Sequence, residues 1–289
     1  MKKTHVRADF RFLDRLRVRW AEIDAQKIVF SGHYLMYFDT AVAGYWRALA
    51  LPYAQSMESL EGDLYVRKAT VEYHASALFD DLIDVGIRCE RIGSSSMTVA
   101  AAVFRGDALL VSGELVYVFA DPRTQTSRPV PPRLREILGA FEAGEAMIDV
   151  QLRAWSEARA EALALRNEVF VGEQGIPASM AGDDADAGAL HALARNRLGL
   201  VLAAGRLLAP APGVARIGRM AVLRAQRGSG VGRAVLDALL AAARDRGDRE
   251  AVLSSQATAV AFYRRAGFVP VGPAFTEAGI VHQEMKLAL

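Results

Sequence analysis

Arg227-Gly228-Ser229-Gly230-Val231-Gly232 lies between a short apolar run, Met220-Ala221-Val222-Leu223, and a segment with helical periodicity. Glycine allows the backbone to approach an anion closely, and the first turn of a helix has N–H groups without partners inside the helix. A pyrophosphate group suits such a loop. We therefore expect residues 227–232 to hold a pyrophosphate at the start of a helix.

A second motif, Phe262-Tyr263-Arg264-Arg265-Ala266-Gly267-Phe268, follows this loop. Hydrophobic periodicity around the two motifs predicts helices at 160–170, 231–247 and 257–265, and strands at 147–151, 191–194, 198–208, 214–223, 250–254, 268–271 and 282–287. The order of these elements and both motifs resemble the GNAT N-acetyltransferases over residues 147–289.

This resemblance implies that bound acetyl-CoA gives its acyl group directly to an amine. The N–H groups of residues 228–232 would hold the pyrophosphate, and Arg227 would add positive charge. The edge of the strand at Met220, Ala221 and Val222 would pair with the pantetheine arm. Tyr263 would protonate the departing thiolate.

A base must also take the proton of the attacking amine, and the candidates are Glu173 and His282. One position departs from the family pattern. Many GNAT enzymes have asparagine seven residues before the tyrosine, whereas this chain has Gln256. Glutamine keeps the amide but reaches further, so the resemblance does not extend to a cofactor contact at Gln256.

Composition and charge exclude several classes of protein. A chain of 289 residues predicts two domains rather than one large domain, and 52% hydrophobic with 24% charged residues is typical of a globular protein. A net charge of +2 and scattered arginines argue against nucleic-acid binding. A cytoplasmic protein is predicted for three reasons. The chain has a single cysteine, Cys89, its start at Met1-Lys2-Lys3 lacks an apolar core, and it has no apolar run of membrane-spanning length.

We expect no metal site in this chain. Its five histidines do not stand at the spacing of metal ligands. The acidic run Asp183-Asp184-Ala185-Asp186 lacks the spaced ligands and the glutamate of a calcium loop. We interpret this run as a solvated acidic loop.

A domain boundary is predicted between Asp121 and Met147. Residues 121–128 are rich in turn formers, and three prolines at 129, 131 and 132 disfavour regular strand pairing. A short helix at 134–141 precedes the strand predicted at 147–151. We place the boundary near residue 146, which gives domains 1–146 and 147–289.

The first domain is predicted to contain one long helix and a run of strands. Apolar residues recur at steps of three and four from Tyr34 to Leu49, and we expect Pro52 to close that helix. Alternating patterns predict strands at 17–22, 64–73, 81–92, 95–105 and 108–119. One helix and an antiparallel sheet that wraps around it form an α+β fold.

Three segments of this domain resemble the hotdog-fold acyl-CoA thioesterases of the 4-hydroxybenzoyl-CoA and tol–pal-associated type. They are Arg19-Trp20-Ala21-Glu22-Ile23-Asp24, Ile28-Val29-Phe30-Ser31-Gly32-His33-Tyr34, and Tyr73-His74-Ala75-Ser76-Ala77-Leu78-Phe79-Asp80-Asp81. The likeness covers residues 10–130.

The hotdog resemblance implies that Asp24 attacks the acyl-CoA thioester or activates water to do so. The backbone N–H of Ser31, expected in the first helical turn, would polarise the thioester carbonyl. The family usually has glycine where this chain has Lys27. Because lysine resists a left-handed backbone, we expect either a differently shaped turn or a Lys27 that faces an acyl-CoA phosphate.

The two resemblances together predict a bifunctional enzyme that hydrolyses an acyl-CoA thioester in its first half and acylates an amine in its second. One alternative is a GNAT enzyme whose hotdog half is catalytically silent and serves oligomerisation or acyl-CoA sensing. Another is a thioesterase whose GNAT half senses acetyl-CoA. Hotdog domains generally complete their sheet and site with a partner, so we expect at least a homodimer through residues 1–146.

Overall fold

The computed structural model describes residues 5–289. The chain divides into two compact units, the first ending at Met147 and the second beginning at Ile148. Residues 1–4, which include the Met1-Lys2-Lys3 start used to predict a cytoplasmic protein, lie outside the described residues. None of the helices within residues 5–289 is long and apolar enough to cross a membrane.

The first unit is one antiparallel sheet with three helices. Its helices are α1 (His33–Ala48), α2 (Tyr53–Ser59) and α3 (Pro132–Glu142). Its strands are β1 (Phe12–Arg17), β2 (Asp63–Tyr73), β3 (Leu82–Ile92), β4 (Ser96–Arg105) and β5 (Ala108–Ala120), in the order β1-β3-β4-β5-β2.

Helix α1 forms the centre of this unit, as the sequence pattern predicts. Its buried positions recur at three- and four-residue steps and include Tyr34, Phe38 and Tyr45. Gly113 on β5 allows a close approach, because a Cβ built there would lie 2.5 Å from Cε2 of Phe38 and 2.9 Å from the Thr70 carbonyl oxygen. The predicted arrangement of one helix against an antiparallel sheet is confirmed.

Two local predictions for the first unit are wrong. The strand expected at 17–22 is β1, which ends at Arg17, followed by a short 3₁₀ turn at Trp20–Glu22. Pro52 does not end α1, which stops at Ala48, but is the N-cap of α2. Proline fits there because its fixed φ is compatible with a helix start and the cap position needs no N–H donor.

The turn before α1 has a left-handed residue at Lys27, with φ of 64°. The turn therefore keeps the backbone shape that glycine would give it, and the expected change of shape at Lys27 is wrong. The side chain of Lys27 is exposed. A non-glycine residue in this conformation carries a strain of about 1–2 kcal/mol.

The second unit is a mixed eight-stranded sheet with helices on it. Its helices are α4 (Trp155–Arg166), α5 (Val231–Asp245) and α6 (Val260–Arg265), with a π-helical segment at Asn167–Glu173 after α4. Its strands are β6 (Ile148–Ala154), β7 (Leu190–Asn196), β8 (Val201–Ala211), β9 (Val214–Val222), β10 (Glu250–Gln256), β11 (Val269–Pro270), β12 (Phe275–Glu277) and β13 (Ile280–Ala288).

The strand order of this sheet is β11-β13-β10-β9-β8-β7-β6, with β12 paired to β13. Every pair is antiparallel except β9 with β10. That parallel pairing joins only residues 214–216 to residues 250–252. Beyond Arg216 the two strands separate, which leaves one edge of β9 open up to Val222.

Replacing Gly113 by alanine should destabilise the first unit by about 1–3 kcal/mol, because the new methyl group has no space between Phe38 and the Thr70 carbonyl. Gly139→Ala is the matched control: it lies in α3 with nothing within 4 Å of the new Cβ, so it should stabilise the helix by about 1 kcal/mol. Calorimetric unfolding of the full chain measures both. A Gly113→Ala protein as stable as wild type would contradict the close helix–sheet contact.

Lys27→Gly should raise the stability of the first unit by up to about 1 kcal/mol, since glycine relieves the left-handed strain but loses more entropy on folding. Lys27→Ala removes the ammonium group while keeping the strained backbone, so its unfolding temperature should stay near that of wild type. Equal stabilisation by both substitutions would mean that charge, and not backbone strain, is the cause.

Candidate active sites

A buried carboxylate fixes the loop before α1. Glu22 is 3% exposed, and its oxygens accept hydrogen bonds from the Arg19 N–H and the Tyr37 hydroxyl, each at 2.7 Å. Burial alone would raise the pKa of Glu22, but these hydrogen bonds and the Arg19 guanidinium outweigh it and lower the pKa below its usual range. The Glu22 carbonyl also accepts the Phe30 N–H at 2.9 Å. Glu22 thus connects the start of the loop at Arg19 and its end at Phe30 with Tyr37 on α1.

Asp24 occupies the tip of this loop with one oxygen engaged. Its Oδ1 accepts the N–H of Gln26 at 2.8 Å and that of Ile28 at 3.4 Å. The Asp24 N–H in turn donates to the Ile28 carbonyl at 2.9 Å. Its Oδ2 has no hydrogen-bond partner among residues 5–289. The carboxylate is therefore held in one orientation, with an oxygen that can accept a proton or attack.

Ser31 lies near Asp24 in sequence but outside the first helical turn, so that part of the prediction is wrong. Helix α1 begins at His33 with Gly32 as its N-cap, because the His33 N–H closes a turn onto the Phe30 carbonyl at 2.9 Å. The Tyr73 hydroxyl donates to the Ser31 carbonyl at 3.1 Å. Within residues 5–289 the Ser31 N–H has no acceptor, so it remains a free donor.

An apolar surface surrounds this loop. Trp20 is 75% exposed and packs edge-to-face on Phe79, with ring centroids 5.4 Å apart. The loop joins the 74–81 segment through the bridge between Ile28 and Leu78. Other large exposed side chains of these segments and of α1 are Phe30, Leu35, Met36 and Tyr73. Exposed apolar surface of this extent is typical of an interaction surface.

In the second unit, a cavity of about 350 Å³ lies where β9 and β10 separate. Met220 on the open edge of β9, Tyr263 on α6 and His282 on β13 line it. The structure therefore brings three residues predicted from separate motifs to one cavity. The predicted Glu173 and the loop at 227–232 are not among its lining residues.

The loop before α5 has the backbone expected of an anion site. Gly228 and Gly230 are left-handed, with φ of 82° and 91°, and nothing lies within 4 Å of either missing Cβ. The N–H groups of Gly228, Gly230, Val231 and Gly232 have no acceptor in the described part of the chain, whereas Ser229 donates its N–H to Gln226 at 3.4 Å. Four free donors at a helix start can bind a pyrophosphate.

Arg227 and Glu173 bind each other in this structure. The Arg227 guanidinium donates to both oxygens of Glu173, at 2.6 and 2.7 Å, and also to the Val222 carbonyl at 3.2 Å. The hydrogen bonds from Arg227 hold the pKa of Glu173 below its usual range. Glu173 is therefore a weak proton acceptor, and Arg227 already has an anionic partner.

Tyr263 has the protonated hydroxyl, and His282 the hydrogen-bonded ring orientation, that acid–base chemistry requires. Burial raises the pKa of Tyr263 to about 12, so its hydroxyl is protonated at neutral pH. The Nδ1 of His282 lies 2.9 Å from the Ile280 carbonyl, which can only accept. In the neutral ring the proton therefore sits on Nδ1, and Nε2 carries the free lone pair.

The amide of Gln256 bonds to the protein. Its Nε2 donates to Oε1 of Gln174 at 3.0 Å, which links the end of β10 to the segment after the π-helical turn. Both side chains line the cavity. The longer reach of glutamine explains this partner, which sequence reasoning could not identify because the two residues are far apart in the chain.

The acidic run at 183–186 is solvated only in part, as predicted for Asp183, Asp184 and Ala185, which are exposed. Asp186 is fully buried and paired with Arg166 at 3.0 Å, and Asp183 is bound by Arg206 and Arg219. Arg206, Arg219 and Asp183 line the cavity. No local motif predicts these ion pairs, since the arginines lie on three different elements. No group of three His, Cys, Asp or Glu suited to a metal occurs within residues 5–289.

Comparisons with known proteins match each unit to a different family. The Thioesterase superfamily matches residues 26–112, and the Acetyltransferase (GNAT) domain matches residues 157–289. An Aquifex aeolicus (strain VF5) protein named "Putative esterase" is 30% identical over 96 residues, which are 33% of this chain and 74% of that protein.

For the second unit, the uncharacterized N-acetyltransferase YjcF of Bacillus subtilis (strain 168) is 35% identical over 126 residues, 43% of this chain and 89% of that protein. A crystal structure of an acyl-CoA N-acyltransferase from Pseudomonas aeruginosa is 34% identical and covers 49% of this chain and 99% of its own, with a TM-score of 0.45. The two resemblances inferred from the sequence are thus confirmed. The chain belongs to the thioesterase superfamily through its hotdog unit and to the GNAT acetyltransferases through its second unit.

Proposed function

We propose that the chain uses acyl-CoA at two separate sites, hydrolysing a thioester in the hotdog unit and transferring an acyl group to an amine in the GNAT unit. The convergence of Met220, Tyr263 and His282 on one cavity beside an open strand edge carries the transferase proposal. The one-sided hydrogen bonding of Asp24 and the free Ser31 N–H support the hydrolase proposal.

In the GNAT unit, the free N–H groups of Gly228, Gly230, Val231 and Gly232 hold the pyrophosphate of the acyl-CoA. The pantetheine arm pairs with β9 at Met220, Ala221 and Val222, where the strand has no neighbour on the β10 side. Arg227 contributes charge after exchanging Glu173 for the phosphate. This pose brings the thioester to the separation between β9 and β10.

Acyl transfer then needs one base and one acid. The acceptor nitrogen attacks the thioester carbonyl and loses a proton to Nε2 of His282. A C–N bond forms, the C–S bond breaks, and the departing thiolate takes the proton of the Tyr263 hydroxyl. Burial raises the pKa of Tyr263, which keeps its hydroxyl protonated until the thiolate leaves. A thiol released beside it is buried as well, so its pKa is also raised and the two effects offset each other in this proton transfer. His282 fits the base role better than Glu173, whose carboxylate is bound by Arg227.

In the hotdog unit, Oδ2 of Asp24 attacks the thioester or takes a proton from the attacking water, and the Ser31 N–H stabilises the oxyanion. The products are a carboxylic acid and the CoA thiol. Lys27, the residue that favours a silent hotdog module, keeps the left-handed turn beside Asp24. That backbone removes the main objection to a working site, so hydrolysis is the preferred function.

We further propose that this unit forms at least a homodimer in the cytoplasm. The apolar surface around Trp20, Phe30 and Phe79 supports an interface next to Asp24. A second copy would cover these apolar side chains. Sedimentation at micromolar concentration distinguishes this dimer from a monomer.

Asp24→Asn should lower thioester hydrolysis by about 10²–10⁴-fold. Asparagine keeps the Oδ1 that accepts the Gln26 N–H, so the turn should persist while the basic oxygen is lost. Thiol release from a panel of acyl-CoAs, without amine, measures the effect. Tyr263→Phe is the control, because it should leave hydrolysis unchanged. Wild-type thiol release by Asp24→Asn would refute the mechanism.

Tyr263→Phe and His282→Gln should each lower acyl transfer by about 10²-fold or more while leaving CoA affinity within a few-fold of wild type. Mass spectrometry measures the amount of acylated amine, which the thioester hydrolysis in the hotdog unit does not produce. Asp24→Asn is the matched control and should retain transfer. Loss of CoA binding in Tyr263→Phe would indicate a packing role for the ring and not an acid.

A further inference from the structure

Three guanidinium groups and two carboxylates form one cluster beside the cavity of the GNAT unit. The arginine cluster is Arg166, Arg206 and Arg219 with Asp183, Asp186 and His191. No other carboxylate among residues 5–289 contacts these three guanidiniums. Two negative charges therefore face three positive ones.

His191 does not change this balance. It is fully buried, and burial lowers its pKa, so the ring is neutral at pH 7. The Arg166 guanidinium donates to its Nδ1 at 3.3 Å, which places the ring proton on Nε2, where it bonds to the Asp186 carbonyl at 3.0 Å. Both aspartates are ionised, because the arginines hold the pKa of Asp183 at about 2 and lower that of Asp186 despite its burial. The cluster carries a net charge of about +1.

The surplus charge lies at the cavity end of the cluster. Asp186 forms ion pairs with the fully buried Arg166 and with Arg206. Asp183 forms ion pairs with Arg206 and Arg219. Arg219 uses only one nitrogen for Asp183, at 2.7 Å, and its side chain is 27% exposed, whereas Arg166 is fully buried. Arg219 lines the cavity.

The backbone at Arg219 also indicates a built site. Its φ is 51°, left-handed for a non-glycine residue, where the pairing of β8 and β9 shifts register after Ala204. β-Bulges of this kind redirect side chains, and strained residues concentrate at functional sites. The neighbouring Arg216 gives a contrast, since it lines the same cavity but is balanced by Glu284 at 3.1 Å.

We propose that the acceptor of the GNAT unit is a small amine that also carries a carboxylate, which Arg219 binds beside Arg206. The inference rests on the proposed acyl transfer. A carboxylate supplies one negative charge and would neutralise the cluster, whereas a phosphate carries nearly two and would leave it negative. A cavity of about 350 Å³ suits an acceptor of amino-acid size.

The test compares matched ligands that differ only at the carboxylate. Glycine, β-alanine, L-phenylalanine and 4-aminobenzoate, each beside its carboxamide, vary the spacing between amine and anion. Calorimetric titration into the full chain saturated with CoA should show at least one carboxylate that binds roughly 10-fold more tightly than its carboxamide. Mass spectrometry with acetyl-CoA reads the acylated products of the same pairs.

Arg219→Asn should reduce that preference to about twofold or less, because it removes the guanidinium while asparagine tolerates the left-handed backbone. Unfolding temperature and CoA affinity near wild type check that the variant is folded. Arg216→Met removes one positive charge from the same cavity and should retain the preference. Comparing each variant with wild type cancels the intrinsic difference between a carboxylate and its carboxamide.

Two outcomes overturn the inference: a panel in which no carboxylate binds better than its carboxamide, or a preference that survives in Arg219→Asn. These are distinct from failure of the proposed transfer. Selective carboxylate binding without any acylated product would refute the transferase function and leave the anion site intact. Acylation of the carboxylate and the carboxamide of each pair at equal rates would refute the anion site and leave the transferase function intact.

Discussion

The parallel pairing of β9 with β10 stops at Arg216, and beyond that point the edge of β9 that faces β10 has no strand beside it. Buried backbone groups need hydrogen-bond partners, so an edge inside a sheet must be filled by water, by side chains or by a ligand. The cavity, the loop before α5 and the placement of Tyr263 and His282 all follow from this opening. If the two strands stayed paired to their ends, none of these residues would surround a common space.

In the hotdog unit, a side chain supplies hydrogen bonds that regular backbone pairing does not. The loop that carries Asp24 has few regular hydrogen bonds of its own, and the buried Glu22 carboxylate replaces them by binding Arg19 and Tyr37. One oxygen of Asp24 is then used to stabilise the turn. Both units therefore place reactive groups where regular backbone pairing ends, and both hold those groups with hydrogen bonds from neighbouring segments.

Local sequence patterns predict most of the architecture and part of each site. Periodicity locates α1 and β3 to β5 to within one or two residues, and the glycine spacing identifies the loop at 227–232, because these signals are contained in short segments. The Glu173–Arg227 pair, the Gln174–Gln256 contact and the burial of Asp186 could not be predicted, since each joins residues distant in the chain. The helix start at His33 depended on the turn that Phe30 closes, which no composition rule indicates.

The sharing of Asp183 by Arg206 and Arg219 has a consequence for binding strength. A free arginine side chain loses about 2 kcal/mol of rotamer entropy when it is immobilised. Here the carboxylate restrains both side chains when the protein folds, so this entropy is lost before any ligand arrives. Preorganisation of this kind raises affinity without adding a contact, and it makes Asp183 a determinant of recognition although its own charge would repel an anion.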